Sequence, residues 1–380
     1  MLSDRIEAQI ALGIHWRNCQ NVESSDVPTV RLSGNVGGAD DPLRSVRGEL
    51  FCELFEAGWN LDNANGDEVI TLCNIQAKIN SSDAFVFIPL PNLQDLFSAA
   101  SVFVGYQTLD PQLDGKPTVL LNTNGTWDHF IELLQHLREM GTVRQIAKDY
   151  LQLAATPKEV VSIIDPDSPW EMPETPHHAD GEVPSGDIPE ANEPRPDDHR
   201  YSVCVFCSAS LRDKDMLDDG YQLGRDLADA KLGCVSGAGR TGIMGEVVRG
   251  AYEAGGWTGG SNVPHIIQLE GLPDGLSAFW PRPDIYTRMD IMIEESDAFV
   301  IMPGGCGTVQ ELLALLLRKK RGDKSMAGKP IVVFDREMGD KRFWTPLFDL
   351  IKEAGEGMEV AIAKTREEII PLIEKERAKG

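Results

Sequence analysis

Apolar residues along this chain fall into two kinds of pattern, short continuous runs and stretches where they recur every three or four positions. The second half shows the alternation best. Tyr201–Cys207 (YSVCVFC) is a short apolar, β-rich run and predicts a buried strand. Asp218–Leu232 follows with Leu223, Leu227 and Ala230 at helical spacing, and Gly233 stands where that helix is expected to end. Gly233–Ser236 reads as a second strand, Gly237–Gly245 (GAGRTGIMG) as a glycine-rich turn and Glu246–Ala254 as a helix. Ala298–Met302 is another strand, followed by the glycine loop Pro303–Thr308 (PGGCGT), a helix over Val309–Lys319 and a strand over Pro330–Phe334. Strands alternating with helices predict a parallel sheet with right-handed crossovers. The expected class is Rossmann-like α/β, with ligands at the carboxyl ends of the strands.

The first half echoes the second. Ser82–Pro89 reads SDAFVFIP and Ser296–Pro303 reads SDAFVIMP, an offset of 214. Gly115-Lys116-Pro117 mirrors Gly328-Lys329-Pro330, Trp127 mirrors Trp344, and Thr156–Val160 mirrors Thr365–Ile369. Four matches in the same order predict a tandem duplication. The expected architecture is two Rossmann-like, parallel-sheet, three-layer α/β domains in tandem, the first shortened: residues 1–164, a linker over 165–200, and residues 201–380.

Composition sharpens that division. The segment 165–200 holds eight prolines and eleven acids against two basic residues, with no period of 2 or 3.6. It is expected to be an extended, self-repelling linker. His177 and His178 within it have no Cys or third His nearby, so no metal site is expected. The chain's net charge of -24 argues against a nucleic-acid polymer or an anionic membrane as partner, since both need a basic surface. No run approaches the length of a membrane span, and the acidic first turns do not read as a signal peptide. Seven scattered cysteines suggest a reduced, cytoplasmic protein. Cys204 and Cys207 have redox spacing, but they lie in a strand and are expected to be structural.

Chemistry concentrates in the loop 303–308. It leaves a strand and opens a helix, so its glycines expose backbone N–H groups at the positive end of the helix dipole. Gly304, Gly305, Gly307 and the Thr308 hydroxyl can form a phosphate cradle without a lysine. A tight turn needing glycine only for shape is the alternative. On spacing alone, Glu311 could simply complement the helix dipole. Gly237, Gly239 and Gly242 do not fit a dinucleotide fingerprint, because glycines occupy the place of the expected acid.

At this point the residues resemble a family. Residues 201–378 look like the Lonely Guy (LOG) nucleoside 5′-monophosphate phosphoribohydrolases, whose signature PGG-x-GT-x-x-E is complete at Pro303–Glu311. The family's glycine-rich turn matches Gly237–Gly245, and its opening segment matches Cys204–Ser210, with Ser208 and Ser210. Its catalytic arginine corresponds to Arg288. Met289, Tyr286 and Gln310 replace the family's lysine, histidine and second glutamate.

The resemblance implies hydrolysis of the N-glycosidic bond of a purine nucleoside 5′-monophosphate, AMP or an N6-substituted AMP. Glu311 and Arg288 would be catalytic. Gly304, Gly305, Gly307, Thr308, Gly237, Gly239, Gly242, Ser208 and Ser210 would bind substrate and phosphate. No cofactor or metal is expected. The alternative is a non-catalytic nucleotide-binding or sensing protein, as in the family's molybdenum-cofactor-carrier relatives. At offset 214 the first half carries Phe97 for Glu311, Asn74 for Arg288, and Pro89–Gln94 for the glycine loop. It is expected to be catalytically dead, to serve as an intramolecular pseudodimer partner, and to leave homo-oligomers open.

Overall fold

In the first half the apolar runs become β1 (Thr29–Ser33), β2 (Asn60–Asp62), β3 (Ala84–Phe87), β4 (Thr118–Leu121) and β5 (Leu151–Ala154). Connecting helices are α1 (Arg44–Glu56), α2 (Ile75–Asn80), α3 (Leu93–Gln107), α4 (Asp128–Glu139) and α5 (Ala147–Tyr150), and α6 (Pro157–Ile164) follows β5. The strands pair in parallel in the order β2-β1-β3-β4-β5. This is a computed structural model, and it describes residues 27–34, 44–62, 70–89, 91–168, 171, 173, 192–199, 201–355 and 357–379. Leu90, His177, His178 and most of the 165–200 segment lie outside the described residues.

The second half runs β6 (Tyr201–Phe206), α7 (Lys214–Asp229), β7 (Leu232–Ser236), α8 (Gly242–Glu253), β8 (Thr258–Gly260), α9 (Pro264–Glu270), β9 (Ala278–Phe279), α10 (Ile285–Glu294) and β10 (Ala298–Ile301). It continues through α11 (Cys306–Lys320), β11 (Ile331–Phe334), the hairpin β12 (Glu337–Met338) and β13 (Lys341–Arg342), α12 (Thr345–Glu353), β14 (Ala361–Ala363) and α13 (Ile369–Arg377). Its seven-stranded sheet has the order β14-β11-β10-β6-β7-β8-β9. With β8 and β9 removed from one edge, the two sheets have the same order. The first is therefore a shortened version of the same α/β arrangement.

Matching hydrogen bonds accompany the matching strands. Asp83 accepts from Thr29 N–H at 2.7 Å, and Asp297 accepts from Ser202 N–H at 2.9 Å. Lys116 Nζ donates to Ile79 O at 2.9 Å, and Lys329 Nζ to Ile293 O at 3.0 Å. Trp127 N–H donates to Asn122, and Trp344 N–H to Asp335, at 2.7 and 2.8 Å. Both indoles are fully buried.

The halves pack directly on each other through α3 against α11 and α4 against α12. Helices α3 and α11 are buried along most of their length, from Asp95 to Tyr106 and from Thr308 to Leu317. A surface helix keeps one polar face. A helix apolar on nearly all sides needs cover on both, and here each has its own sheet on one side and the other half beyond. One continuous apolar core spans both halves and includes Phe97, Val104, Leu312 and Leu316.

Several boundaries differ from expectation. Gly233 does not end α7; it pairs with Ser202 inside β7. The left-handed residue after the helix is Lys231, φ 57°. Helix α8 starts at Gly242 rather than Glu246, and α11 at Cys306 rather than Val309. Gly245, which read as part of the turn, sits inside α8, where a Cβ would fall 2.1 Å from Arg240 O. The linker also ends earlier than residue 200. Asn192 bridges Ala278 and Glu193 N–H donates to Ser277 O, so this strip covers the otherwise open edge at β9.

Candidate active site

Three strand ends, those of β6, β7 and β10, open into one cleft. Its walls include Ser208, Ser210, Thr241, Arg288, Gly305, Cys306, Gly307, Thr308 and Glu311. The first half completes the wall with residues such as Val104, Gln107, Thr142, Arg144 and Gln145.

Glu311 and Arg288 meet here. Arg288 rides on α10, whose start is capped by Asp284 accepting from Tyr286 and Thr287 N–H, each at 2.9 Å. Its guanidinium is held by backbone: Nε donates to Ser261 O at 2.8 Å and Nη2 to Gly237 O at 3.0 Å. That leaves Nη1 facing Glu311 Oε1 at 3.9 Å, a charge contact rather than a hydrogen bond. The side chains are 11% and 7% exposed, so solvent screens them little. Burial pushes the Glu311 carboxyl up to about 8; Arg288 pulls it down, and Glu270 pushes it further up. Burial therefore outweighs the guanidinium. Arg288 thus opposes the rise without cancelling it.

Glu270, at the end of α9, was not singled out by the sequence. It lines the cleft, and burial raises its carboxyl while Arg288 and Arg212 lower it. Nothing local marks it: it ends a short helix before Gly271, and only tertiary folding brings it beside Arg288. The site thus holds two carboxyls that both feel the Arg288 charge.

Helix α11 begins at the cleft with Gly305 as N-cap and no side-chain cap. Its first N–H groups are left for an anion. Thr308 is buried beside Gly304, where a Cβ would fall 2.1 Å from Thr308 Oγ1. Ser208 Oγ accepts from Ser210 and Leu211 N–H, both at 3.1 Å, which shapes the turn after β6. Gly237, Gly239, Gly242 and Gly304 are not among the residues that line the cleft. Gly237 is glycine for room: a Cβ there would lie 1.8 Å from Arg288 Nη2.

The replaced positions are filled structurally. Tyr286 and Met289 are buried. Gln310 turns to the other half, where Nε2 donates to Ser101 Oγ at 2.9 Å. Cys306 Sγ faces Ala100 O, and burial raises its thiol, so it is no activated nucleophile. In the first half, Phe97 is buried core and Asn74 Oδ1 accepts from Thr71 N–H at 2.7 Å. Among the described residues no group of three His, Cys, Asp or Glu is placed to hold a metal, and no helix is long and apolar enough to cross a membrane.

Fold and site together define a Rossmann-like α/β protein with a buried Arg–Glu pair beside an uncapped helix N-terminus. Residues 244–378 match the family model described as "Possible lysine decarboxylase". The chain is 32% identical over 136 residues to the cytokinin riboside 5′-monophosphate phosphoribohydrolase of Mycobacterium tuberculosis, covering 36% of this chain and 71% of that protein. It is 31% identical over 157 residues to the protein of the same name from Rhodococcoides fascians, covering 40% and 75%. It spans 58% of a 32% identical Arabidopsis thaliana relative carrying that activity in its name. Among solved structures, the molybdenum cofactor binding protein of Rippkaea orientalis aligns with 46% of this chain and 96% of its own, at 22% identity and TM-score 0.37. The chain belongs to the Lonely Guy (LOG) family.

Proposed function

We propose that the second half hydrolyses the N-glycosidic bond of a purine nucleoside 5′-monophosphate, AMP or an N6-substituted AMP, to free base and ribose 5-phosphate. The observation that carries this reading is the buried pair Arg288–Glu311 beside the uncapped start of α11. A departing base leaves a ribosyl cation. Glu311, once ionised, stabilises that cation and takes a proton from the attacking water. Its high proton affinity suits a base working near neutral pH. The phosphate end, held at Gly305–Thr308, positions the ribose. The named activities of the relatives support the same reading.

Incubation of the purified full chain with AMP, followed by chromatography, tests it. Adenine and ribose 5-phosphate in equal amounts are expected. Unchanged AMP, with an N6-substituted AMP also left intact, overturns the hydrolase reading.

A second reading, a protein that binds nucleotide without turnover, draws on the altered positions beside the pair: Tyr286 and Met289 are buried, and Gln310 is bonded to Ser101. Tight AMP binding without adenine release would favour it.

The first half, on this proposal, stands where a second subunit would. Shared strand order, repeated hydrogen bonds and the common core support descent from a tandem duplication.

A further inference from the structure

We infer that Arg144, from the half that carries no glycine loop, is the phosphate-binding cation of the cleft and pairs with the 5′-phosphate held at Gly305–Thr308. This rests on the proposed nucleotide reading and adds a residue that the family signature does not contain.

The loop 303–308 contains no basic residue. A helix terminus offers about half a unit of positive charge, against nearly two negative charges on a phosphomonoester. The chain is also strongly acidic, so a free phosphate meets a repelling field until a local cation opposes it.

Three arginines line the cleft. Arg288 is committed to Gly237 O and Ser261 O. Arg212 Nη1 donates to Ala209 O and Leu211 O at 3.1 and 3.0 Å. Arg144 is exposed, and among the described residues its guanidinium has no hydrogen bond or ion pair.

Its position is fixed by the chain before and after it. Thr142 Oγ1 donates to Leu137 O at 2.8 Å, and Thr142 O accepts from Ser210 Oγ at 3.1 Å. Thr142 lies directly on the phosphate loop: a Cβ on Gly305 would fall 2.5 Å from Thr142 O and 3.6 Å from Val143 Cγ2. On the other side Gln145, itself buried, accepts from Gln107 Nε2 at 2.9 Å. Arg144 is thus the exposed head of an anchored segment, two residues from the backbone that touches Gly305. The anchored backbone limits the entropy lost when the guanidinium closes on a phosphate. A guanidinium also matches a phosphate with two parallel N–H donors.

The test uses the full chain with Arg144→Ala and Arg144→Lys. Michaelis constants are measured for AMP and for adenosine, and equilibrium binding of AMP is measured by calorimetry. A lost charge-assisted hydrogen-bond pair is expected to raise KM for AMP about tenfold to a hundredfold in Arg144→Ala, with kcat changed less than about threefold. KM for adenosine should stay unchanged, and Arg144→Lys should recover part of the loss. Equal KM for AMP in wild type and Arg144→Ala overturns the proposal. A parallel rise for AMP and adenosine also overturns it, since that marks a structural effect. If wild type binds AMP but does not cleave it, the hydrolase reading fails while calorimetry still decides Arg144: weaker AMP binding in Arg144→Ala supports it, and equal binding overturns it. If wild type binds no AMP, both fall.

Discussion

Gln310 Nε2 donates to Ser101 Oγ at 2.9 Å across the two halves, and the Ser101 hydroxyl in turn donates to Phe97 O at 2.7 Å. The serine hydrogen is therefore spent, and residue 310 must be a donor. An ionised glutamate would offer only acceptors to a buried oxygen.

Gln310→Glu is accordingly expected to destabilise the full chain by about 1–3 kcal/mol at neutral pH. Thermal unfolding should show the loss shrinking at low pH, where the new carboxyl can donate its proton. A melting point unchanged at pH 7 would mean that the contact contributes nothing between the halves.

Glu311→Gln should lower kcat for AMP by about 10²–10⁴ while AMP affinity stays within about tenfold. A steady-state assay with active-site titration checks this. Retention of more than about a tenth of wild-type activity would remove Glu311 from the chemistry.

The pH dependence follows from the same carboxyl. Burial pushes Glu311 up to about 8 in the free protein. If its ionised form does the work, kcat/KM climbs from about pH 6 to about pH 9. A rate that falls across that range would assign the protonated carboxyl, acting as an acid toward the leaving base.

Stability runs the opposite way. Between the ordinary glutamate value and about 8, the folded chain keeps a proton that the unfolded chain releases. Stability contributed by this group is full below that window and is lost as pH rises through it. Glu311→Gln has no such slope. Its melting temperature should gain on wild type from about pH 5 to about pH 9, and a constant difference would contradict the burial argument.

Much of this was legible in the chain, for physical reasons. The echo SDAFV at Ser82 and Ser296 marks two equivalent strands because central parallel strands are buried on both faces and read as continuous apolar runs. Arg288 and Glu311 could be named because they fall within recognisable local signatures. Glu270 and Arg144 could not: one ends a short helix, the other follows a turn, and only packing brings them to the cleft. The room beside Gly237 is taken by Arg288, which could not be read from the chain, since a sequence shows that a Cβ is missing but not what fills the space. Gly233 read as a helix end because the left-handed position fell on Lys231 instead.

The two equivalent helix starts differ in who occupies them, and this fixes the expected stoichiometry. At α3, Asn92 Oδ1 accepts from Gln94 and Asp95 N–H at 2.8 and 3.1 Å. Asp95 returns the bond, accepting from Asn92 N–H at 3.1 Å, and its other oxygen accepts from Ser33 Oγ at 2.7 Å. Asp95 is 2% exposed; burial raises its carboxyl, and the bonds from Ser33 and Asn92 and the nearby Arg47 lower it. The first half thus closes its helix terminus with the Asn92 amide oxygen, which the Asp95 carboxyl holds in place, while α11 leaves the same N–H groups without a side-chain cap. Calorimetric titration of Glu311→Gln with AMP should give about one site per chain, because a ligand phosphate at α3 would have to displace a buried, fully bonded cap. Asp95→Ala should lower stability by about 0.5–2 kcal/mol without changing that stoichiometry, since the glycine loop is still absent there. Two sites per wild-type chain would show that the first half still binds nucleotide.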